Sequence, residues 1–338
     1  MHLKLFFTAC LMAVCFLPVN AMVWRVNNIA GIQADFKTLN ELNQNGHVSD
    51  GDTVYIEGSA DLYSISAPLT RRLIFFGPGY LLNDNSGLQA VPLMATINSL
   101  TLDSLASGSQ FYGLRLNQIY SGSSVDDIKI ARCSLSIYST GTAIPNTRMT
   151  GWEISQNMLN YVTFSTGFIL DGLVFRNNIV AQNTNFGGGF NMLFRNNIFL
   201  GLNRIADAYV SNNYFANINA PVFVNCTVRY NMSQYSSAPI LAALPASAFN
   251  IVGRSLADVF VNTGSADARY QLTATSPARG AGEPVNGVTP DIGAFGTGDP
   301  YRLSGIPPIS SVYAMSVPAN VPSSATSMTV TLSTRSNN

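Results

Sequence analysis

The chain has 338 residues, of which 11% are charged, and a formal net charge of +0 at pH 7. It therefore lacks the concentrated positive charge that binding to a phosphate backbone requires, which argues against nucleic acid as a partner. The length is compatible with one elongated repeat structure as well as with two compact domains.

The first 21 residues predict an export signal. His2 and Lys4 precede an apolar stretch over residues 5–19, and Val19-Asn20-Ala21 ends in a small residue suited to cleavage. We therefore expect a mature chain from about Met22 that is secreted or held at the cell surface. The apolar stretch is shorter than the roughly 20 residues of a membrane-spanning helix, and no later segment is predicted to be transmembrane.

Residues 22–50 predict an N-terminal cap. Phe36, Leu39 and Leu42 recur at helical spacing, which favours an amphipathic helix over residues 34–43, with the short strand Val23–Val26 beside it. A stack of open coils exposes strand edges and an apolar interior at its end, so a covering helix is expected there.

Residues 51–300 are dominated by a repeat in which an apolar strand is followed by an asparagine and a second apolar pair. From Cys133, the equivalent positions are spaced by 24, 21, 19, 16 and 18 residues, and they are occupied by Asn157, Asn178, Asn197, Asn213 and Asn231. A period near 20 is typical of a solenoid. The runs 127–130 and 173–175 are rich in β-branched and aromatic residues between Gly, Asn and Ser, which favours coils of β-strands.

A fixed asparagine in each coil has a physical reason. Asparagine tolerates the left-handed backbone of a sharp turn, and its amide can hydrogen-bond to the same amide in the next coil, which would form a ladder. Alternatively, these residues are ordinary surface turn residues. Both interpretations give them a structural role.

The repeated Asn-Asn-Ile type of turn occurs together with a strand segment over residues 50–56 and exit segments over residues 276–282 and 291–295. In these features the chain resembles the right-handed parallel β-helix proteins of the pectin-lyase-like superfamily, many of which bacteria export. The resemblance implies an all-β, right-handed parallel β-helix. It specifies little chemistry, because lyases, hydrolases and adhesins share this fold.

The two cysteines that follow the export signal are predicted to be free. Cys133 and Cys226 lie about five coils apart, and each coil adds roughly 4.8 Å, whereas a disulfide needs Cα atoms within about 7 Å. We expect two buried thiols, with Cys133 replacing one rung of the asparagine ladder.

No complete catalytic site is evident in the sequence. Of the motifs shared by the β-helical hydrolases that the chain resembles, only the Asp-Asp pair is present, as Asp126-Asp127. The β-helical lyases use carboxylates around Ca²⁺ and an arginine or lysine base, but Lys129 is the only lysine within the coils. His47, the only histidine after the signal, is interpreted as an exposed turn residue. No cofactor is expected, except Ca²⁺ if the protein is a lyase.

Three arginines occupy equivalent positions two residues before the ladder asparagine, namely Arg176, Arg195 and Arg229. Side chains from neighbouring coils would form a basic strip able to bind the carboxylate of a uronate sugar through two hydrogen bonds. The alternative is that this position simply points outward and tolerates arginine.

An acidic column is also predicted, at the start of the strands. Asp127, Asn191 and Asp207 share one level, and Asp126 and Asp171 lie one residue earlier. Calcium needs six to eight oxygen ligands at about 2.3–2.6 Å. Asp171 and Asp207 would be roughly 10 Å apart across two coils, which favours capping of turns over metal binding.

Aromatic residues in the longer loops are candidates for stacking on sugar rings. They are Tyr161, Phe164, Phe168, Phe186 and Phe190. The alternative is that several of them cover the interior of the coils.

Residues 301–338 predict a C-terminal tail with two strands, Ser311 to Val317 and Ser327 to Ser333. Two strands alone are marginally stable in water. They must therefore pack on the coils, pair with another chain, or begin a sandwich.

Together these features favour an exported, non-catalytic β-helix protein that binds carbohydrate or a partner at the cell surface. One alternative is a polysaccharide lyase acting on uronate-containing glycans. Another is a structural or assembly component that acts through its C-terminal tail.

Overall fold

The computed structural model describes residues 21–121, 123–139, 147–164, 167–182, 184–186, 188–296 and 298–337. In these ranges the chain is an all-β parallel solenoid of about nine turns, which confirms the predicted fold class. Residues 1–20, which carry most of the predicted export signal, lie outside the described residues. No helix in the described ranges is long and apolar enough to cross a membrane.

The first parallel sheet receives one strand from each coil. Its ten strands, in spatial order, are β1 (Val23–Val26), β2 (Thr53–Ile56), β3 (Ile74–Phe76), β5 (Gln110–Tyr112), β7 (Lys129–Ala131), β10 (Glu153–Ser155), β13 (Val174–Arg176), β17 (Met192–Arg195), β20 (Ala208–Ser211) and β23 (Thr227–Arg229). The predicted cap strand β1 is therefore the first member of this sheet, paired with β2.

The second sheet has eleven strands. They are β4 (Thr96–Leu102), β6 (Arg115–Ser121), β8 (Ser134–Ser139), β11 (Met158–Phe164), β14 (Ile179–Val180), β15 (Asn185–Phe186), β18 (Ile198–Phe199), β19 (Arg204–Ala206), β21 (Tyr214–Phe215), β22 (Val222–Val224) and β24 (Met232–Ser233). The long strand β11 pairs with both β14 and β15, so the later coils divide this sheet at a corner.

The remaining elements are short. A third sheet contains β9 (Thr147–Thr150), β12 (Phe168–Asp171) and β16 (Gly189–Phe190), and a C-terminal antiparallel hairpin contains β25 (Ser311–Ser316) and β26 (Thr331–Arg335). The α-helices are α1 (Leu39–Gln44), α2 (Ala238–Ala243) and α3 (Leu256–Val259), and the 3-10 helices are Ser104–Ala106, Ala246–Ala248, Ala268–Tyr270 and Leu303–Gly305.

The core consists of side chains that stack from coil to coil. The middle residue of the three-residue strands β3, β5, β7, β10 and β13 points inward, and Phe75 and Phe111 stack with ring centroids 5.2 Å apart. The pair Phe199 and Phe215 repeats this contact at 5.6 Å on the second sheet. Such columns bury apolar surface in every coil and hold the register.

The asparagines at the equivalent positions form a continuous hydrogen-bonded ladder. The Asn157 side-chain amide donates to Asn178 Oδ1 at 3.1 Å, and the same bond joins Asn178 to Asn197, Asn197 to Asn213 and Asn213 to Asn231. Asn250 extends the ladder by one rung beyond Asn231. All these amides are buried, so the ladder satisfies groups that would otherwise lack partners.

The left-handed backbone lies one residue earlier than the sequence predicted. Positive φ angles occur at Gln156, Asn177, Asn196 and Asn212, immediately before the ladder residues. The reason is that the ladder residue must aim its amide along the stack, while the preceding residue makes the turn. In an Asn-Asn pair, the first residue thus makes the turn and the second forms the ladder.

Both cysteines are free, in agreement with the prediction. Cys133 is fully buried at the start of the ladder, where its backbone N–H donates to Asn157 Oδ1 at 2.8 Å. Cys226, predicted to be buried, is only half-buried, since it lies in one of the last coils, where the strands are more exposed.

Residues 283–306 run back along the outside of the coils, and we call this segment the strap. As the strap proceeds along the chain, it contacts turn residues of progressively earlier coils. The Glu283 N–H donates to Asn212, and Asn177 donates to the carbonyls of Ala294 and Gly296. Arg132 donates to the carbonyl of Ile306. Part of the predicted coil region 51–300 is therefore strap. It covers a second apolar cluster that includes Ile198 and Ile292.

The cap helix is shorter than predicted. It begins at Leu39, where Thr38 and Glu41 form a capping box, and Phe36 instead makes a bridge with Val26. Phe36, Leu39 and Leu42 are all buried, as the apolar spacing implied.

Candidate functional site

One outer face of the second sheet combines aromatic rings with exposed amides. We call it the tyrosine face and define it by the following residues: Tyr120, Tyr138 and Tyr161, together with Asn98, Asn117, Asn160 and Gln182. The three tyrosines are partly buried and the four amide residues are exposed.

The tyrosines form a stack across three successive coils. Ring centroids are 5.7 Å apart between Tyr120 and Tyr138, and 5.4 Å apart between Tyr138 and Tyr161. The interplanar angles are 25° and 32°, so the rings lie nearly parallel. Neighbouring rings cover part of each other's faces, and ring edges remain accessible.

Strand register produces this stack. Tyr120 and Tyr138 are direct partners in the pairing of β6 with β8. In each strand, the residues on either side of the tyrosine point inward. Tyr161 lies where the pairing of β8 with β11 shifts between Leu159 and Val162, and this irregularity brings its ring beside Tyr138.

The amides line the adjacent corner. Asn117 donates to Asn98 at 3.4 Å, and Gln182 donates to Asn160 at 3.0 Å. The Tyr120 hydroxyl donates to Gln118, so that the polar groups of this face are oriented by their neighbours. Each of these exposed amides retains further donor or acceptor capacity for a ligand.

The chemistry of the tyrosine face is neutral and amphipathic. The accessible ring edges supply apolar contact for the C–H groups of a sugar, while amides and phenol groups exchange hydrogen bonds with hydroxyls. The tyrosine rings recur in three successive coils, at intervals of 5.4–5.7 Å along the stack. This arrangement suits a polymer with repeating units.

The sequence missed two of the three tyrosines. Tyr161 was among the predicted candidates, but Tyr120 and Tyr138 were not. A signal was present, because the tripeptide Ile-Tyr-Ser occurs at 119–121 and again at 137–139. Asparagines mark the period only downstream of residue 126.

The other predicted aromatic candidates lie mostly in the core, which corrects the prediction that they contact sugar. Phe164, Phe168 and Phe186 are 5%, 3% and 0% exposed. Phe186 packs against Phe175 and Phe194, with centroids 5.1 Å and 4.6 Å away. Their strands alternate inward and outward, and these positions point inward. Phe190 is exposed, at the end of β16.

The predicted arginine column exists, but acidic side chains accompany it. Arg176 and Arg195 are direct partners in the pairing of β13 with β17, and Arg229 follows after the intervening Ser211. Arg176 contacts Glu153 and Asp299 at 2.9 Å each, and Glu283 lies 3.2 Å from Arg195 and 3.5 Å from Arg229. Asp299 and Glu283 belong to the strap. The arginines therefore hold the strap to the coils.

These contacts affect whether Arg176 could act as a catalytic base. Burial lowers the pKa of Arg176, but the hydrogen bond from Arg176 to Asp299 and the charges of Glu153 and Asp299 outweigh it and leave the pKa above its usual value. A base must give up its proton before it acts, and a raised pKa opposes this.

The predicted acidic column is a row of turns. Asp127, Asn191 and Asp207 have φ angles of 55°, 53° and 51°, and glycines with positive φ, such as Gly151 and Gly172, hold the same place in other coils. A position shared by Gly, Asn and Asp is one that demands left-handed backbone.

Side chains in this row accept hydrogen bonds from residues of the neighbouring coil. Asn191 donates to Asp171 at 3.1 Å, and Asp126 accepts from the Thr150 N–H at 2.7 Å. Within the described part of the chain, no three His, Cys, Asp or Glu side chains are grouped to hold a metal ion. His47 is exposed in a turn, where its backbone N–H donates to Asn45 Oδ1.

The fold and this face define an all-β solenoid with a neutral aromatic and amide surface. Comparison with known proteins gives no closer assignment: no family model matches the chain, and no curated protein or solved structure matches it.

Proposed function

We propose that this protein is an exported, non-catalytic β-helix that binds a neutral polysaccharide along the tyrosine face. The observation that carries the proposal is the stack of Tyr120, Tyr138 and Tyr161 across three coils, with exposed amides beside it. Successive sugar units of an extended glycan would meet equivalent groups in successive coils.

A neutral glycan fits better than a uronate polymer. The seven residues that define the tyrosine face are neutral, and one positive charge, Arg115, lines a groove together with Asn117. The arginines that were candidates for uronate binding already pair with Glu153, Glu283 and Asp299. A uronate carboxylate would have to compete with these partners.

We also assign the chain to the pectin-lyase-like superfamily as part of the proposal. Support comes from the parallel coils, the asparagine ladder and the sequence features at both ends of the coil region. Export rests on the apolar stretch over residues 5–19 and its cleavage pattern. A cell-surface location would bring the face into contact with extracellular glycans.

The test is retention of the purified protein in gels that contain single polysaccharides, from a panel of neutral and uronate polymers. We expect a neutral polymer to retard the wild-type chain. The double variant Tyr120→Ala/Tyr138→Ala should bind about tenfold more weakly, which corresponds to a loss of about 1.4 kcal/mol of contact with the two rings.

The matched control is Tyr313→Ala, which removes an exposed tyrosine from the C-terminal hairpin. It should bind as the wild type does. Equal retention of the wild type and the double variant would refute the tyrosine face as the binding site.

The lyase alternative has a separate test. Incubation with uronate polysaccharides, with and without Ca²⁺, is followed by ultraviolet absorbance from new carbon–carbon double bonds. We expect no increase, since Arg176 is held protonated between two carboxylates. A Ca²⁺-dependent increase would contradict the non-catalytic proposal.

A further inference from the structure

The first strand is held at its start by a carboxylate that solvent does not reach. Asp52, just before β2, is 1% exposed. Its Oδ1 accepts from the backbone nitrogen of Met22 at 2.7 Å, and its Oδ2 accepts from Trp24 Nε1 at 2.7 Å and from the Ser49 N–H at 2.9 Å. The Met22 carbonyl in turn accepts from the Thr53 N–H at 2.9 Å. Asp52 therefore fixes the residue before β1 against the residue before β2.

This buried carboxylate has no cationic side chain beside it. Its three donors are neutral groups, and no salt bridge within the described residues includes Asp52. Burial raises its pKa, but the hydrogen bonds from Trp24, Ser49 and Met22 outweigh burial and leave the pKa below the usual value of 3.8. Asp52 is therefore ionised at neutral pH. Buried charges in proteins are normally paired, so a positive charge is expected here.

The other titratable groups on the surrounding elements have partners of their own or are exposed. Asp50 accepts from the Arg72 N–H at 3.0 Å, and Arg25 of β1 pairs with Glu57 of β2. In the described part of the chain, Asp52 has no hydrogen bond or salt bridge with any of the following residues: Asp35, His47, Asp50, Tyr55, Glu57 and Arg72.

We infer that export processing supplies the missing charge, because cleavage of the Ala21–Met22 bond makes the Met22 nitrogen an α-ammonium group that pairs with Asp52. The inference rests on the proposed export. Two independent observations meet at one atom. The pattern Val19-Asn20-Ala21 predicts cleavage before Met22, and the nitrogen of that residue lies 2.7 Å from Asp52 Oδ1.

The cleavage step is a hydrolysis carried out by a peptidase of the export machinery. The C–N bond between Ala21 and Met22 breaks, and one water molecule is consumed. Its oxygen joins the Ala21 carbonyl carbon to give a carboxylate, and both of its hydrogens reach the Met22 nitrogen. An α-amino group has a pKa of about 7.7–8.0, so it is mostly protonated at neutral pH.

Processing thus changes the strength of one contact without moving the chain. Before cleavage the Met22 nitrogen donates as a neutral amide, and after cleavage it donates as a cation, which makes a stronger hydrogen bond to a carboxylate. Ala21 and Met22 are both exposed, so water solvates the remaining hydrogens of the ammonium group. The mature chain therefore holds its first strand more firmly than the precursor does.

The first measurement is the mass of the N-terminal peptide after the full chain has been expressed in an exporting host cell and purified. We expect Met22 to be the first residue. Any other first residue overturns the inference. A chain that retains its signal overturns the proposed export as well.

The second measurement moves the amine by one residue. Insertion of one serine between Ala21 and Met22 keeps the cleavage pattern, and after cleavage the serine occupies the exposed place that Ala21 has in this structure. The Met22 nitrogen is then a neutral amide. In urea denaturation at pH 7 we expect the equilibrium constant for unfolding to rise about tenfold. Equal stability of the two processed chains overturns the inference and leaves the proposed glycan binding unaffected.

Two variants show whether this effect passes through Asp52. In Asp52→Asn the serine insertion should have no further effect, because the carboxylate is absent. The matched control is Asp35→Asn, which removes an exposed carboxylate that accepts from the Arg25 N–H of the same strand at 2.8 Å. In that background the insertion should keep its tenfold effect. An equal effect of the insertion in both backgrounds overturns the inference.

The pH dependence provides a check that does not need Asp52→Asn to fold. An opposite charge raises the pKa of an amine, so the stabilisation is complete below about pH 7.7 and is lost as pH rises through the raised pKa of the folded chain. The difference in stability between the wild type and the insertion variant should therefore shrink between about pH 8 and about pH 10. A difference that stays constant over this range overturns the inference.

Discussion

In three of the coils, two neighbouring asparagines perform different tasks. The second amide of each pair is buried in the ladder, while the first turns the chain and donates outward to the strap, as Asn177 does to Ala294 and Gly296. The ladder amide also donates to a strand carbonyl, as Asn178 does to that of Ile154 at 2.8 Å. Each ladder residue therefore satisfies several buried groups.

Removing one rung should be costly. Asn178→Ala leaves the backbone N–H and side-chain amide of Asn157 without their acceptor, in a site that water does not reach. We expect the free energy of unfolding to fall by about 3 kcal/mol, measured by urea denaturation. The matched control is Asn160→Ala, which removes an exposed amide. Equal losses in the two variants would contradict the ladder as a source of stability.

The two thiols should differ in reactivity. Burial raises the pKa of Cys133 to about 12, and burial also raises the pKa of the half-buried Cys226. The thiolate is the reactive form, so at neutral pH Cys133 should label only after unfolding. We expect a thiol reagent to modify Cys226 first, with mass spectrometry identifying the site. Early labelling of Cys133 in the folded protein would contradict its burial.

Among the elements, the strap depends most on charge. Glu153 is paired with Lys129 and Arg176, and Asp299 of the strap is paired with Arg176. Burial raises the pKa of both carboxyls, but hydrogen bonds and positive charges outweigh it, so both pKa values lie below their usual values of 4.5 and 3.8. The contacts between strap and coil therefore depend on ionised carboxylates.

The direction of the pH dependence follows from these shifts. A carboxyl whose pKa is lowered by folding stabilises the protein at pH values above its unfolded pKa, and this contribution is lost as pH falls through the lower folded pKa. We expect wild type to be more stable than Glu153→Gln at pH 7, and the difference to shrink as pH falls below 4.5 and through the lowered pKa of folded Glu153. Urea midpoints at several pH values measure it, and a constant difference would contradict the account.

The elements differ in how far the sequence predicts them. The coils could be predicted because one side-chain type returns with a period near 20, and each return has a local cause. The strap could not, because its contacts join residues as far apart as Arg132 and Ile306, 174 positions along the chain. The arginine column was predicted, but its carboxylate partners were not, since Glu283 and Asp299 lie outside the repeat.

The hairpin shows a similar limit. Its first strand was predicted to within one residue, while its second begins at Thr331 and not at Ser327. Strand β25 ends at Ser316, before Pro318 and Pro322, so residues 327–330 have no strand opposite them. The local sequence pattern predicts that both strands exist, whereas their pairing with each other determines where each strand begins and ends.

At the scale of the whole molecule, the solenoid turns a short sequence pattern into a long surface. Ladder, core and tyrosine stack are all columns along the solenoid axis, and the tyrosine stack spans three coils. A rigid column of rings requires little ordering when a ligand binds, which favours affinity for an extended chain.

The most direct test of the account is hydroxyl-radical footprinting of the purified protein, with and without the polysaccharide that retards it most strongly in gels. We predict that the polysaccharide slows oxidation of Tyr120, Tyr138 and Tyr161, while oxidation of the exposed Tyr313 and Phe190 is unchanged. Protection elsewhere, with the three tyrosines oxidised at their original rates, would contradict the account.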